Sequence, residues 1–466
     1  MKFLRFCFLV ALWAFCASAF GDVWTAPAPE GQGVEGAYRV TVDGKDVAIY
    51  RSFDQEKDSG EYYFGTFEFT GTVKIEVTAP FSLAKATVAP ERFGVKFVER
   101  SEKSATLEAS EPFLISLEPN GRVKPLILFG LAPEKDAPKE GDANVVYFGP
   151  GVHKPDVVNL TDNQTLYVAA GAVLNAGVVA KGKNISIRGR GIIAGTEWKR
   201  HAGPSSFPIH CQDCENLEIR DVVLRDPWSW TCVLNNCRGV KIDGLRICAS
   251  NMLNDDALDL CNASDVEVTN CFFRSQDDSI AIKGLRDDLA PCENIVVKDC
   301  VFWTDRANIF RIGYECQAKT MRDIVAENID VLYYSVDYRD HDQYWANAII
   351  WLQPNLEMPM EQCRFSNFRI RSNGDKMIML MAKAMQCKYG KFENPTPGRL
   401  FDCSLSDFVV YGEKGEFGGE LYFAGFSETS DVKNISITNF DYFGEKITKD
   451  SDAVVIGQFA QGIEIQ

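Results

Sequence analysis

One pattern of apolar and polar positions returns nine times along this chain. NISIR at 184–188 recurs as NLEIR from 216, GVKID from 239, DVEVT from 265, NIVVK from 294 and DIVAE from 323. Looser copies, QCRFS from 362 and DCSLS from 402, precede a clear NISIT from 434. In all nine the second and fourth positions are apolar or cysteine, the period of a strand that buries one face. The sixth position is always Gly, Asp or Asn: Gly189, Asp221, Gly244, Asn270, Asp299, Asn328, Asn367, Asp407 and Asn439. These residues tolerate left-handed backbone and make sharp bends. Apolar residues resume three positions later, from Ile192 and Leu224 through Phe302 to Tyr442. Each unit therefore reads as strand, one-residue corner, strand.

Successive starts lie 32, 23, 26, 29, 29, 39, 40 and 32 residues apart. Such intervals predict stacked coils in which each unit covers the apolar face of the last. A helical solenoid would need a period near 3.6 inside each unit, which is absent. The pattern predicts an all-β chain built on a parallel β-helix, with loops inserted where an interval runs long.

The coil is expected over 144–466, starting at NVVYFGPGVH, with TLYVAAGAVLNAGVVAKG as early short strands. Before it, LAPEKDAPKEGDA at 131–143 is rich in proline and charge and reads as a linker. Residues 22–130 hold alternating runs such as YRVTVDGKDVAIY and YYFGTFEFTGTVKIEV, which predict a separate antiparallel β-sandwich. Residues 1–19 carry Lys2, Arg5 and an apolar run ending in Ala17-Ser18-Ala19, and read as a cleaved secretory signal. The expectation is a secreted or periplasmic protein. No later run reaches eighteen apolar residues, so no membrane association is expected after cleavage.

A net charge of −16 argues against a nucleic-acid partner, since phosphate-neutralising side chains are outnumbered. Of fifteen cysteines, thirteen lie between Cys211 and Cys403; the number is odd and no metal spacing repeats. Structural packing or bridging is the expectation, and the lone C-x-x-C of Cys211 and Cys214 is read the same way. Cys271 and Cys300 share one offset in neighbouring coils and should stack inside the ladder.

Three short runs in consecutive coils share a parity. In NDDALDL, Leu258 and Leu260 should point inward; in DDSIAIK, Ile280 and Ile282; in NIFRIG, Phe310 and Ile312. Aligning them puts Asp256, Asp278 and Asn308 at one level of three strands spaced about 4.8 Å apart. Asp256 and Asp278 would form a stacked like-charged pair. Asp277, of opposite parity, should project differently, onto the outer surface. Such repulsion raises the pair's harder ionisation and leaves the third carboxyl to be tuned separately. Glycoside hydrolysis uses this division between a protonated acid and a carboxylate that activates water, with about 6.5 to 9.5 Å between them in an inverting enzyme. Acidic pairs at coil corners can equally bind calcium or simply make the bend.

At these residues the chain resembles a known group. Asn254-Asp255-Asp256, followed by Asp277-Asp278 and SIAIK, resembles the N-T-D and D-D-x-I-A-I-K motifs of the polygalacturonase family, glycoside hydrolase family 28. The sandwich joined through YFGPGVH to the coil is more similar to the dextranase and isopullulanase family, glycoside hydrolase family 49. The likeness covers residues 144–350 and, loosely, the sandwich. It implies a right-handed, pectin-lyase-like β-helix and an inverting mechanism without a cofactor or metal. By motif, Asp277 would be the general acid, Asp256 and Asp278 the pair that activates water, and Asn254 a substrate contact. There are departures: Asp255 stands for Thr, Ala257 for Gly, Asn308 for a histidine and Arg311 for a serine. The R-I-K motif that grips a substrate carboxylate is absent from DYRDHDQYWANAIIW, so a neutral glycan such as an α-glucan is expected.

Further candidates for the carbohydrate site are Lys283, Arg311 and Tyr314, which could line the cleft or form structural salt bridges. Trp228 and Trp230 in RDPWSW could stack on sugar or pack a corner. His341 in YRDHDQYW is a subsite candidate. Five sequons, at Asn159, Asn163, Asn184, Asn262 and Asn434, matter only in a glycosylating host. The reading is an exported, monomeric inverting glycosidase. Its rivals are a calcium-assisted polysaccharide lyase on the same coil and a non-catalytic carbohydrate-binding solenoid.

Overall fold

The computed structural model of the chain describes residues 21–53, 60–249, 252–286, 288–335, 347–374, 378–386, 396–415 and 420–466. The signal expected over 1–19 lies outside them. The expected coil is present as one continuous ladder of strands from Val145 to Ile465, three faces to a turn. On the first face, Ile185, Leu217, Val240, Val266, Ile295 and Ile324 stand in one parallel register, which are the second positions of the repeat. The second face carries Ile192–Ala194, Val223–Arg225, Arg246–Cys248, Phe272–Ser275 and Val301–Thr304. The third carries Ile209–Gln212, Cys232–Asn235, Leu258–Cys261, Ile280–Lys283, Phe310–Ile312 and Ile350–Leu352.

All nine corner residues have positive φ, from 54° at Asn439 to 128° at Gly189. A Cβ on Gly189 would stand 2.1 Å from the carbonyl oxygen of Val168, so glycine is required there. The repeat also bends at its first residue. Asn184, Asn216, Gly239, Asp265, Asn294, Asp323, Gln362, Asp402 and Asn434 all have φ between 53° and 67°. Amides stack along this edge: Asn184 Nδ2 donates to Asn163 Oδ1 (2.8 Å), and Asn216 Nδ2 to Asn184 Oδ1 (2.7 Å). Each left-handed bend is thus tied to the coil beside it.

Inside, one apolar column runs the length of the coil, with Phe368, Phe408 and Phe440 stacked at 4.6 and 5.1 Å. The twelve described cysteines are buried and free. Cys271 and Cys300 donate to the carbonyls of Thr269 (3.0 Å) and Lys298 (3.2 Å), as core residues of neighbouring coils.

The sandwich has two sheets, but it is not wholly antiparallel as expected. In the larger sheet, Leu126–Leu131 runs parallel to Glu61–Phe69. That sheet is a middle layer, and parallel pairs belong where both faces are covered. Phe113, Ile115 and Leu128 pack toward the smaller sheet's Val40, Ile75 and Leu107. Leu114, Ile127 and Phe129 pack on the coil's second face, against Val223, Phe272 and Trp303. The segment read as a linker is pinned down: Arg190 Nη2 donates to Ala132 O and Arg188 Nη2 to Lys135 O, both at 3.0 Å. Among the described residues, no helix is long and apolar enough to cross a membrane.

Asn270 shows what a bend costs: φ is 55° and its Nδ2 donates to Asp243 Oδ1 at 2.8 Å. Asn270→Val places a β-branched side chain in left-handed backbone and removes that bond. It should lower stability by about 1–2 kcal/mol, read as a drop in Tm, whereas Asn270→Gly should lower it much less.

Candidate active site

On the third face Leu258, Ile280 and Phe310 stand in register. The ladder extends below them, with Ala257 N donating to Asp278 O (2.8 Å) and Ser279 N to Asn308 O (2.9 Å). Asp256, Asp278 and Asn308 are therefore level, as the parity argument predicts. The expected separate direction of Asp277 is corrected. Asp256, Asp277 and Asp278 each offer an oxygen to a common point, with these atoms all within 4.8 Å of one another. Strand alternation does not reach these positions, because Asp277 lies in the turn between the strands Phe272–Ser275 and Ile280–Lys283. Asp255 holds that turn: its buried Oδ1 accepts from the backbone N–H of Gln276 (2.7 Å) and of Asp277 (3.0 Å). This closest approach is shorter than the 6.5–9.5 Å carboxyl separation expected for an inverting pair.

The three carboxyls sit in different surroundings. Asp278 Oδ1 accepts from Asn308 N (3.2 Å) and Nδ2 (2.6 Å). Burial and then the charge of Asp278 push Asp277 up to about 6. Asp256 is buried and raised well above the ordinary carboxylate range; burial is the largest cause, with Asp259, Asp277 and Asp278 adding to it and Lys283 opposing it. Lys283 Nζ lies 3.2 Å from Asp256 Oδ2, while the buried Asp256 Oδ1 has no hydrogen-bond partner among the described residues.

The cleft holds about 300 Å³ and is lined by Asp277, Asp278, Asn254, Asn308, Arg311 and Tyr314 of the expected residues, while Asp256 is buried beside it and does not line it. Asn254 Nδ2 approaches Asp277 Oδ2 at 3.5 Å. The Arg311 guanidinium lies 3.4 Å from the centroid of the Trp351 ring and 4.2 Å from that of Tyr314, and donates to Gln353 Oε1 (2.8 Å). Lys283 is buried behind the cleft, its ammonium 3.5 Å from the Trp230 ring centroid. Trp230 is itself stacked on Phe207 at 5.5 Å. The option of Trp228 as a sugar platform is corrected: it is fully buried against Trp198, its Nε1 donating to Ser205 O (2.9 Å), so it has no face to offer. His341 lies outside the described residues. Arg200, Arg306 and Asn347 also line the cleft and were not anticipated. They come from other coils and share no motif with the aspartates, whereas Asp255 was visible inside N-D-D but read only as a replacement.

Residues 159–305, which span the trio, match the model of glycosyl hydrolases family 28, and the expected resemblance is borne out. The protein is a glycoside hydrolase. No curated protein matches the chain. Among solved structures, the chain is similar to Dex49A from Penicillium minioluteum, at 11% identity and TM-score 0.66, over 95% of this chain and 98% of that one. It is also similar to the family 28 exopolygalacturonase of Yersinia enterocolitica, at 15% identity and TM-score 0.50, over 95% and 94%. At these identities the likeness establishes the fold: a parallel β-helix preceded by a sandwich.

The brace formed by Asp255 has a measurable consequence. Asp255→Ala leaves two backbone donors at 276 and 277 without their acceptor and should cost about 1–3 kcal/mol, together with a loss of kcat as Asp277 leaves the trio. Asp255→Thr, which restores an acceptor oxygen, should recover part of both; equal loss in the two variants would remove the brace from the account.

Proposed function

We propose that the coil, residues 144–466, is the catalytic domain of an inverting glycoside hydrolase, with Asp277 as general acid and Asp256 and Asp278 as the pair that activates water. The observation that carries this reading is the approach of three carboxyls, one oxygen from each of Asp256, Asp277 and Asp278 lying within 4.8 Å of the others. Asp277, half-buried at the cleft and raised to about 6, keeps its proton into the mildly acidic range, as a donor to a leaving oxygen must. The short oxygen approach also suits direct attack by a carboxylate, the retaining route. Two further carboxyls beside one acid support water as nucleophile, with Asp256 acting in its ionised form, which burial opposes and the Lys283 ammonium favours.

The chain acts as an exported monomer without a cofactor, the sandwich at 22–130 and the segment at 131–143 serving as its companion unit. The trio's oxygens could also take a hard cation. The Lys283 ammonium on Asp256 already supplies positive charge there, which supports proton chemistry over a calcium-assisted lyase.

For substrate, the absent R-I-K motif supports a neutral glycan such as an α-glucan. A second reading has its own observation: Arg200, Arg306 and Arg311 line the cleft, and guanidinium forks recognise carboxylates or sulfates. Dextran, pullulan and polygalacturonate, compared at low and high salt, separate the two, since only cleavage of a charged glycan should weaken steeply with ionic strength.

Asp277→Asn should lower kcat by about 10²–10⁴-fold while leaving the fold and sugar binding in place; retained turnover would remove Asp277 from the acid role. Because Asp277 works protonated, kcat/KM should fall about tenfold per pH unit above about 6. Proton NMR of the first product should show the inverted anomer. The retained anomer would make Asp256 or Asp278 a nucleophile and end the inverting proposal.

A further inference from the structure

The chemistry above leaves a fully buried carboxyl unused, that of Asp259. It stands on the strand Leu258–Cys261, in register with Ala281 and Arg311 of the next two coils. Its Oδ1 lies 2.8 Å from Lys283 Nζ. The same ammonium is 3.2 Å from Asp256 Oδ2 and 3.7 Å from Glu315 Oε2. Below it lies the ring of Trp230, and Cys261, its register partner, completes the surround. One cation is therefore shared by three carboxyls, those of Asp256 and Asp259 buried with Lys283 and that of Glu315 partly exposed.

We propose that Asp259 is a positioning residue: it anchors Lys283 so that the ammonium is divided among Asp259, Glu315 and Asp256 instead of forming a private pair with Asp256. The inference rests on the assignment of Asp256 to water activation. A lysine given wholly to Asp256 would stabilise its ionised form and weaken it as a base, because proton affinity follows the nearest charge. Lys283 makes its ion pair with Asp259 at 2.8 Å and donates a hydrogen bond to Asp256 Oδ2 (3.2 Å), while Asp256 Oδ1 and both Asp259 oxygens have no hydrogen-bond partner among the described residues. The contact distances rank the three claims on the ammonium, with the non-reacting carboxyl nearest. The charged groups that face Asp256 are Lys283, Asp259, Asp277 and Asp278; those that face Asp259 include Lys283, Asp278 and Glu315. Neutralising Asp259 acts on Asp256 in two ways of the same sign: the negative charge of Asp259 beside it is lost, and Lys283 has one fewer partner, so that Asp256 gains its share.

The test needs no substrate. Difference infrared titration of the full chain reads the carbonyl band of protonated carboxyls, and the component lost in Asp256→Asn belongs to Asp256. In Asp259→Asn, which keeps shape and removes charge, that component should deprotonate about one pH unit lower than in the wild type. In Glu315→Gln, at the longer contact, it should move the same way by less, and this variant carries the test if Asp259→Asn does not fold. An Asp256 midpoint unmoved in the variants that fold, or moved upward, overturns the proposal. The acid limb of kcat/KM, on whichever of dextran, pullulan or polygalacturonate is cleaved, should shift with the infrared midpoint. A purely structural Asp259 would lower Tm and leave both midpoints alone, and a shift of the same size on adding Asp259→Asn to Lys283→Met would assign it to the direct charge of Asp259 and overturn the proposal. Full activity in Asp256→Asn would instead defeat the assignment of Asp256 to water activation, and the infrared shift would stand or fall separately.

Discussion

A chain of L-residues can coil at this pitch only if it turns sharply through left-handed backbone, and each coil does so twice on the edges of its first face. Asn, Asp and Gly supply those bends, and the side-chain amides and carboxylates that make them tolerable also bond from coil to coil. Local conformation and long-range register are thereby set by the same residues. Once the bends repeat, every strand has its neighbour at one fixed spacing, and side chains at one level of successive coils must meet whether or not their charges suit one another.

The candidate active site uses that compulsion. Aspartates of two successive coils are brought level by the ladder, and their repulsion is offset by particular groups: the Asn308 amide on Asp278, the Lys283 ammonium on Asp256, and backbone on Asp277. The members of the trio differ in these partners and in burial, and burial is the largest cause that raises Asp256 and Asp277. The proposed division of one type of side chain between two opposite chemical roles rests on these unequal environments.

Much of the coil was legible because it repeats. The apolar pairs at the second and fourth positions and the nine corner residues specify strand, bend and register. The first-residue bend was equally visible, since eight of those nine residues are Asn, Asp or Gly, yet the strand period masks it. Parity placed Asp256 and Asp278 at one level but misdirected Asp277, because alternation holds only where ladder hydrogen bonds hold both sides of a residue. The inaccessibility of Trp228 and the arginines around the cleft depend on packing and loops between distant coils, which carry no local period. The parallel strand of the sandwich was hidden for a related reason: its continuous burial arises from contact with a unit that begins later in the chain.

That middle sheet bears on how the molecule can be divided. Tyr62, Phe64, Ile127 and Phe129 show their apolar side to the coil, and the coil answers with Phe272, Val301 and Trp303. Severing the chain in the proline-rich stretch would therefore wet an oily seam on both products. The partition that looks natural in the sequence is a boundary of topology, while cohesion runs straight across it, so the two halves are better regarded as one cooperative body than as modules to be exchanged.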